Sequence, residues 1–337
     1  MTEILVTGGL GYIGSHCCVA LMEAGYTPVV VDNLSNSSPT TLDRMQQISG
    51  VRPKFHKADV RDGGALDRIF AKHRFAAVIH FGALKAVGES VAKPLDYYDN
   101  NVGGTLTLIG AMLRAGLKKM IFSSSATVYG QAATVPIRED FPRSATNPYG
   151  RSKLIAEDIL EDLSLADGGW RIARLRYFNP VGAHESGLIG ENPKGVPNNL
   201  LPFICDVAAA HRDHLAIFGG DYSTPDGTGI RDYIHVMDLV EGHLAALRFL
   251  NERPGLLTVN LGTGKGISVL EMVRTFERVT GCDIPYRVTG RRPGDVGECW
   301  ADPTLAHHIL GWRAHRTLDD ICLDAWRWRS LESTSFL

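Results

Sequence analysis

The 337-residue sequence has no apolar run near the roughly 18 residues that a membrane-crossing helix needs. It has no block of one charge sign either: 35 Lys and Arg stand against 37 Asp and Glu, a formal net charge of −2. Nucleic acid and anionic membrane are therefore not expected as partners. The six cysteines, at 17, 18, 205, 282, 299 and 322, show no CxxC spacing and are too sparse for a disulfide scaffold. That pattern points to reduced thiols and a cytoplasmic location. A strand-like run beginning at Glu3 leaves no room for a charged leader and an apolar signal core. His211, His214, His307 and His308 lack a companion ligand set with zinc spacing, so no metal is expected. There is no nucleophile elbow, no Walker loop, no internal repeat and no low-complexity tract.

What is present is a globular composition, 44% hydrophobic and 21% charged, with 36 glycines that cluster near the N-terminus. The length suits one large or two ordinary domains. In the first half, short strand-like segments at 3–7, 29–32, 54–58, 77–81 and 120–123 alternate with helix-length stretches at 13–23, 64–72 and 94–115, and those at 77–81 and 120–123 are nearly all apolar. Strand–helix alternation with nearly all-apolar strands predicts a parallel sheet covered on both faces. A helix from about 149 to 165 and a strand at 171–177 follow. Residues 179–199 then loosen into Gly, Asn and Pro, and the domain change is placed there, with residues 1–177 forming the first unit and 178–337 the second. Some elements should interleave across that approximate boundary. Expected in the second half are helices at 200–212, 268–280 and 318–328 and strands at 215–218 and 258–261. Trp312, Trp326 and Trp328 should pack in its core. The fold class is α/β, a Rossmann-type doubly wound parallel sheet with a smaller α/β C-terminal domain.

The first strand runs straight into Gly8-Gly9-Leu10-Gly11-Tyr12-Ile13-Gly14, which opens a helix. Gly8, Gly11 and Gly14 permit a tight turn and bring backbone N–H groups to a helix N-terminus, the arrangement that binds a pyrophosphate. Asp32 ends the next strand 18 residues after Gly14. A carboxylate there accepts ribose hydroxyls and repels a 2′-phosphate, so NAD is favoured over NADP. Asp59, after the third strand, is a candidate for contact with the adenine.

Of the ten tyrosines only Tyr149 has a lysine four residues on, Lys153. On a helix that spacing shares one face. A phenol of pKa about 10 must lose roughly three units to act as a base near neutrality, and a nearby cation commonly supplies about 1–3 of them. An oxidised nicotinamide would add a second positive charge. Ser125, at the end of the strand Phe122-Ser123-Ser124-Ser125, can hydrogen-bond the same substrate oxygen.

With this triad in place the chain resembles the extended short-chain dehydrogenase/reductase superfamily, and within it the UDP-glucose (UDP-galactose) 4-epimerase family. The resemblance covers essentially the whole chain. It is most specific at 8–16, 80–94, 97–101, 122–130, 176–183 and 226–239. Two departures, Gly82-Ala83 for the usual Ala-Gly and Leu10 for a small residue, touch no catalytic group. The resemblance implies Tyr149 as the base, Lys153 as its electrostatic partner and ribose ligand, and Ser125 as the hydroxyl contact. It further implies NAD lined by Tyr12, Ile13, Asp32, Asn33, Asn36, Ser37, Asp59, Val60, Phe81, Gly82, Ala83, Lys85, Asn100 and Phe178. For a UDP-sugar it implies Asn179, Asn199, Leu200, Ala216, Phe218, Arg231, Arg292, Asp295 and Cys299. Guanidinium forks such as Arg231 and Arg292 suit a diphosphate, and Asp295 suits ribose hydroxyls. The family's pairing of helices also implies a homodimer, for which the apolar positions Leu106, Leu108, Ile109, Met112, Leu113, Leu154, Ile155, Ile159 and Leu160 are available.

Two alternatives share the fold. A nucleotide-sugar 4,6-dehydratase or decarboxylase would need acidic residues just after Ser125, as the superfamily resemblance implies, where this chain has Ala126 and Thr127. A non-enzymatic dinucleotide sensor would be expected to lack the Tyr or the Lys. Position 299 bears on substrate range. Relatives restricted to glucose and galactose tend to carry Tyr there, and Cys299 leaves space for an N-acetyl group.

Overall fold

The strands of the first half build one parallel sheet. The structure, a computed structural model, describes residues 2–195, 197, 199–292 and 295–334. In chain order β1 (Glu3–Thr7), α1 (Tyr12–Glu23), β2 (Thr27–Asp32), α2 (Thr40–Ser49), β3 (Lys54–Lys57), α3 (Gly63–Lys72) and β4 (Phe75–His80) alternate strictly. Then come α4 (Val87–Ala92), α5 (Pro94–Tyr97), a π-helical turn (Tyr98–Gly103), α6 (Gly104–Arg114), β5 (Lys119–Ser125), α7 (Pro148–Ala166) and β6 (Arg171–Tyr177). The second half contributes β7 (Asn179–Val181), α8 (Leu200–Ala208), β8 (Leu215–Phe218), β9 (Ile230–Arg231), β10 (Tyr233–His235), α9 (Val236–Glu252) and β11 (Gly255–Leu261). The last elements are β12 (Ile267–Ser268), α10 (Val269–Thr280), β13 (Tyr286–Thr289), β14 (Glu298–Cys299), α11 (Thr304–Leu310) and α12 (Leu318–Thr334).

The central sheet has seven strands in the order β3-β2-β1-β4-β5-β6-β11, and all its pairings are parallel. Strand pleating sends successive side chains to opposite faces. On β1, Ile4 and Val6 join a cluster with Cys17 and Leu21 of α1 and Leu239 and Leu244 of α9. Leu5 joins the opposite cluster with Leu66 of α3, Leu108 of α6 and Leu160 of α7. Each such fully buried side chain contributes about 1.5–3 kcal/mol. Crossovers change direction between β1 and β4, so the cleft beyond their carboxyl ends is the topological switch point, where this kind of sheet binds ligands.

The interleaving across 177/178 takes a definite form. β11 pairs with β6 along its whole length, Gly255↔Arg171 to Leu261↔Tyr177, and α9 packs on α1. Residues 236–261 thus complete the sheet of the first unit. The second unit has its own small pairings, β7 with β10, β12-β9-β14, and β8 with β13. Its core gathers Ile204, Ile217, Tyr233, Met272, Phe276 and Ile321.

Three expectations need correction. The helix foreseen at 94–115 is broken by the π turn, because Asn101 turns inward to bond Leu84 and Ser152. The helix foreseen at 200–212 ends at Ala208, and Ala210 turns the chain at φ +56°. Trp312 packs in the first unit's cluster with α9, its indole N–H donating to the Asp238 carbonyl at 2.9 Å. Trp326 does pack against the second unit's core, while Trp328 is buried beneath the Arg44 guanidinium.

Candidate active site

The glycine loop is shaped by close backbone approach. Gly8 has φ +67°, and a Cβ there would stand 2.8 Å from the Gly82 nitrogen. A Cβ on Gly14 would overlap the Gly8 carbonyl oxygen. Gly11 caps α1 with no side-chain hydrogen bond, and the first turn holds no acidic residue. That leaves N–H groups at a helix N-terminus beside the switch point, which fits the pyrophosphate of a dinucleotide. Leu10 is buried, and its N–H donates to Asp32 Oδ2 at 3.1 Å. Asp32 Oδ1 accepts from the Leu34 N–H and from Ser37 Oγ. The carboxylate is thus pinned at the end of β2, facing the loop.

The remaining cofactor candidates lie around the carboxyl ends of β1 to β6. Asn33 donates to Asp59 Oδ2 at 2.9 Å, and Asn36 Oδ1 accepts the Lys194 N–H. Hydrogen bonds from Arg61 hold the Asp59 carboxyl well below its usual range. Val60 sits under Gly104, Phe81 packs on His243, and Gly82 would meet Thr7 and Val60 only at 3.4 Å if it bore a Cβ. Ala83 is half-buried next to Gly82. Tyr12 donates to the Gly182 carbonyl, Ile13 packs on the first unit's core, and Asn100 donates to Asn101. Phe178, directly after β6, belongs to an apolar cluster with Val128 and Tyr129.

Asn147 caps α7 by accepting the Gly150 N–H, so Tyr149 falls in the first turn and Lys153 one turn later. Ser125, at the end of β5, is the side chain whose hydroxyl acts on the Tyr149 phenol. Thr127 holds that serine from the other side, Oγ1 to Oγ at 2.9 Å. Burial pushes the Tyr149 phenol up from its ordinary value, while the Ser125 hydroxyl and the charge of Lys85 act downward. Lys153 donates to the Ser123 carbonyl at 2.6 Å and lies over the Phe122 ring. Burial brings its pKa down to about 7. Lys153 thus lies one turn beyond Tyr149 on α7 and is directed at the end of β5.

The substrate candidates are linked through backbone pairing. The Asn179 N–H donates to the Asp232 carbonyl, the Asp232 N–H donates to the Cys299 carbonyl, and Cys299 is in register with Arg231. Cys299 packs on the same apolar cluster as Phe178, Ala126 and Leu154. Burial pushes its thiol up to about 11, so it is neutral. Ala216 and Phe218 alternate with the buried Leu215 and Ile217 on β8, and the Arg292 guanidinium lies over the Phe218 ring and pairs with Asp295. Arg231 donates to the Ile230 carbonyl at 2.8 Å. Asn199 precedes Leu200 at the start of α8 and donates to Glu191.

Two site residues went unread in the sequence. Asn101 ties the Leu84 backbone to Ser152 on α7, and its only signal was its place in the specific stretch 97–101. Glu191 contacts both Lys85 and Asn199 from a loop with no periodicity. No local pattern marks it.

A doubly wound sheet with a dinucleotide cradle at its switch point, and a Ser–Tyr–Lys set at the next strand end and helix, defines a short-chain dehydrogenase/reductase of the extended kind. Residues 5–325 match the family model described as GDP-mannose 4,6 dehydratase. The UDP-glucose 4-epimerase of Bacillus subtilis is 57% identical over 327 residues, 97% of this chain and 96% of that protein. The solved UDP-glucose 4-epimerase of Stenotrophomonas maltophila, with bound NAD and formylated UDP-arabinopyranose, is similar at a TM-score of 0.98. It is 48% identical and covers 99% of this chain and 100% of that one. The UDP-Glc/GlcNAc 4-epimerase of Campylobacter jejuni is 37% identical at a TM-score of 0.85, covering 98% and 100%. The chain belongs to the UDP-glucose 4-epimerase family.

Proposed function

We propose that this protein interconverts UDP-galactose and UDP-glucose by inverting C4 of the hexose, with NAD held in the cleft. The observation that carries this is the placement of Tyr149 and Lys153 one turn apart on α7, with Ser125 at the end of β5, beside a cleft whose α1 N-terminus is uncapped. Gly8, Gly11 and Gly14 would admit the pyrophosphate, and Asp32 and the carboxyl ends of β1 to β6 would surround the rest of the cofactor. Bound there, NAD would accept a hydride from C4 and return it to the opposite face. Tyr149 takes the proton of the 4-hydroxyl and gives it back, and Ser125 hydrogen-bonds the same oxygen. Lys153, on the same helix face, is assigned to the cofactor ribose and to the charge that favours phenolate. The 4-keto sugar must turn over while its uridine diphosphate stays anchored, a division between tight remote binding and loose binding near the chemistry. Arg231, Arg292, Asp295 and the β8 face are assigned to that anchor.

The family model's description names a dehydratase, yet elimination needs an acid just after Ser125. Ala126 offers none, and the Thr127 hydroxyl is engaged with Ser125. Retention of both Tyr149 and Lys153 disfavours a mere sensor. Because Cys299 is small and packs on the apolar cluster that contains Phe178, the protein is proposed to accept UDP-N-acetylglucosamine and UDP-N-acetylgalactosamine as well.

A homodimer is proposed through α6 and its neighbours. Leu106 and Leu113 are 49% and 45% exposed, as are Val91 at 65% and Leu95 at 80%, whereas Leu108, Ile109 and Met112 face the sheet. Six free thiols favour the cytoplasm. Among the described residues no helix is long and apolar enough to cross a membrane. Incubation with UDP-galactose should yield UDP-glucose without net consumption of NAD. Formation of an unsaturated or decarboxylated sugar, or no turnover, would overturn the reading.

A further inference from the structure

We propose that Asp232 is a positioning residue for substrate binding, its buried carboxylate fixing the strand pair that carries Arg231 and Cys299 to the end of the central sheet. This rests on reading Arg231 as part of the UDP anchor. The Asp232 side chain is wholly buried. Its Oδ1 accepts the Thr263 N–H at 2.8 Å and the Thr263 hydroxyl at 2.7 Å. Its Oδ2 accepts the N–H groups of Gly264 and Ala301, each at 3.1 Å. All four donors are neutral. Burying a carboxylate on neutral dipoles is costly, and an apolar side chain would fill the same space with less penalty. What the carboxylate supplies instead is geometry, because its two oxygens hold two separate segments at fixed distances.

Those segments are the ones that build the substrate side. Asp232 lies between β9 and β10. Its N–H donates to the Cys299 carbonyl at 3.1 Å, and its carbonyl accepts the Asn179 N–H at 2.9 Å. Arg231, one residue earlier, is in register with Cys299. Ala301 follows Cys299 by two residues, so its bond to the carboxylate secures the exit of β14. Thr263 and Gly264 belong to the turn after β11, the edge strand of the central sheet. One side chain therefore joins the substrate strands to the sheet that forms the cofactor cleft. The fit is close, since a Cβ on Gly262 would lie 2.5 Å from Asp232 Oδ2. Adjacent side chains on an extended chain point opposite ways, so the carboxylate drawn inward leaves the half-buried Arg231 turned outward. An amide at 232 would put an NH2 where one oxygen stood, and two donors would then face a donor whichever way it turned. The strand pair should shift away from β11 and take Arg231 with it.

The test uses UDP as the probe, by calorimetry on the purified holoenzyme, beside steady-state kinetics with UDP-galactose. Asp232→Asn should weaken UDP binding about tenfold and raise KM in parallel. The kcat should change less than about threefold and NAD content should stay near normal, the pattern of lost remote binding. Thr263→Val removes one of the four donors and should weaken UDP about threefold. That variant carries the test if Asp232→Asn does not fold. The double variant should bind no more weakly than Asp232→Asn alone, since Thr263 acts through the carboxylate. Ile321→Ala opens a cavity in the same unit's core and gauges plain destabilisation, so UDP affinity should not change. Wild-type UDP affinity in Asp232→Asn, or in Thr263→Val where it stands in, would overturn the proposal. So would losses that add in the double variant, or an equal loss in Ile321→Ala. Failure of the underlying reading looks different, because Arg231→Ala would then bind UDP as the wild type does.

Discussion

Arg176 and Glu157 pair at 2.7 Å with the two side chains 3% and 0% exposed, directly behind the reactive end of the sheet. Glu157 lies on α7 one turn beyond Lys153 and two beyond Tyr149. Its Oε1 accepts Ser124 Oγ, next to Ser125, and Arg176 donates onward to Tyr129. One buried carboxylate thereby locks α7 to the ends of β5 and β6. That lock holds the helix that carries Tyr149 against the strand that carries Ser125.

Breaking it should be costly. Glu157→Gln leaves Arg176 without a countercharge and is expected to lose about 3–5 kcal/mol of stability, read by urea denaturation. Burial would raise the Glu157 pKa, but the hydrogen bond and charge of Arg176 outweigh it and hold it below the ordinary value. A depressed carboxylate adds stability above its unfolded value of about 4.3, lost as pH falls through the folded value. Wild-type stability should therefore drop on acidification below about pH 4, and the Gln variant should show a flatter decline there.

Tyr149→Phe should lower kcat by about 10²–10⁴-fold while NAD content after purification stays near normal. Lys153→Ala should reduce both turnover and NAD content. A Phe variant with a third of the wild-type rate would refute the base assignment.

The glycine loop offers a paired contrast. Gly14→Ala should strip the protein of NAD, because its Cβ would meet the backbone of both Gly8 and Gly9. Gly82→Ala restores a Cβ at the first position of the reversed pair and finds nothing nearer than 3.4 Å, so NAD content should change little. Cofactor released by acid precipitation and measured by absorbance separates the two.

Cys299→Tyr should abolish turnover of UDP-N-acetylglucosamine while sparing UDP-galactose, since overfilling a packed wall costs about 1–3 kcal/mol or more. Wild-type protein with no activity on the N-acetylated sugar would refute the pocket argument.

Leu106→Glu combined with Leu113→Glu should convert a dimer into a monomer by light scattering with little change in folding, because both side chains face outward. A monomeric wild type would overturn the proposed pairing.

Much of this was legible in the chain because it is local. The glycine loop, Asp32 and the Tyr149–Lys153 spacing are each fixed by a strand end or one helical turn, and β1 and β6 fall where the apolar runs place them. Three features depend on distant partners and were not. β11 reads as a second-unit strand because nothing in Gly255–Leu261 records its pairing with Arg171–Tyr177. The π turn exists because Asn101 finds Leu84 and Ser152, which periodicity cannot register. The ion pair of Lys85 with Glu191 joins residues 106 apart in the chain, a separation no local pattern records.

The same β11 pairing has a consequence for synthesis. As the chain leaves the ribosome, β6 has no outer neighbour until residue 261 has emerged, 84 residues after β6 ends at Tyr177. Through that interval Arg171–Tyr177 presents open N–H and C=O groups along an unpaired edge, the feature that recruits foreign strands. A fragment ending at 177 would be frozen in that state and is expected to aggregate. The cofactor-binding half of this protein is finished only by the half that follows it.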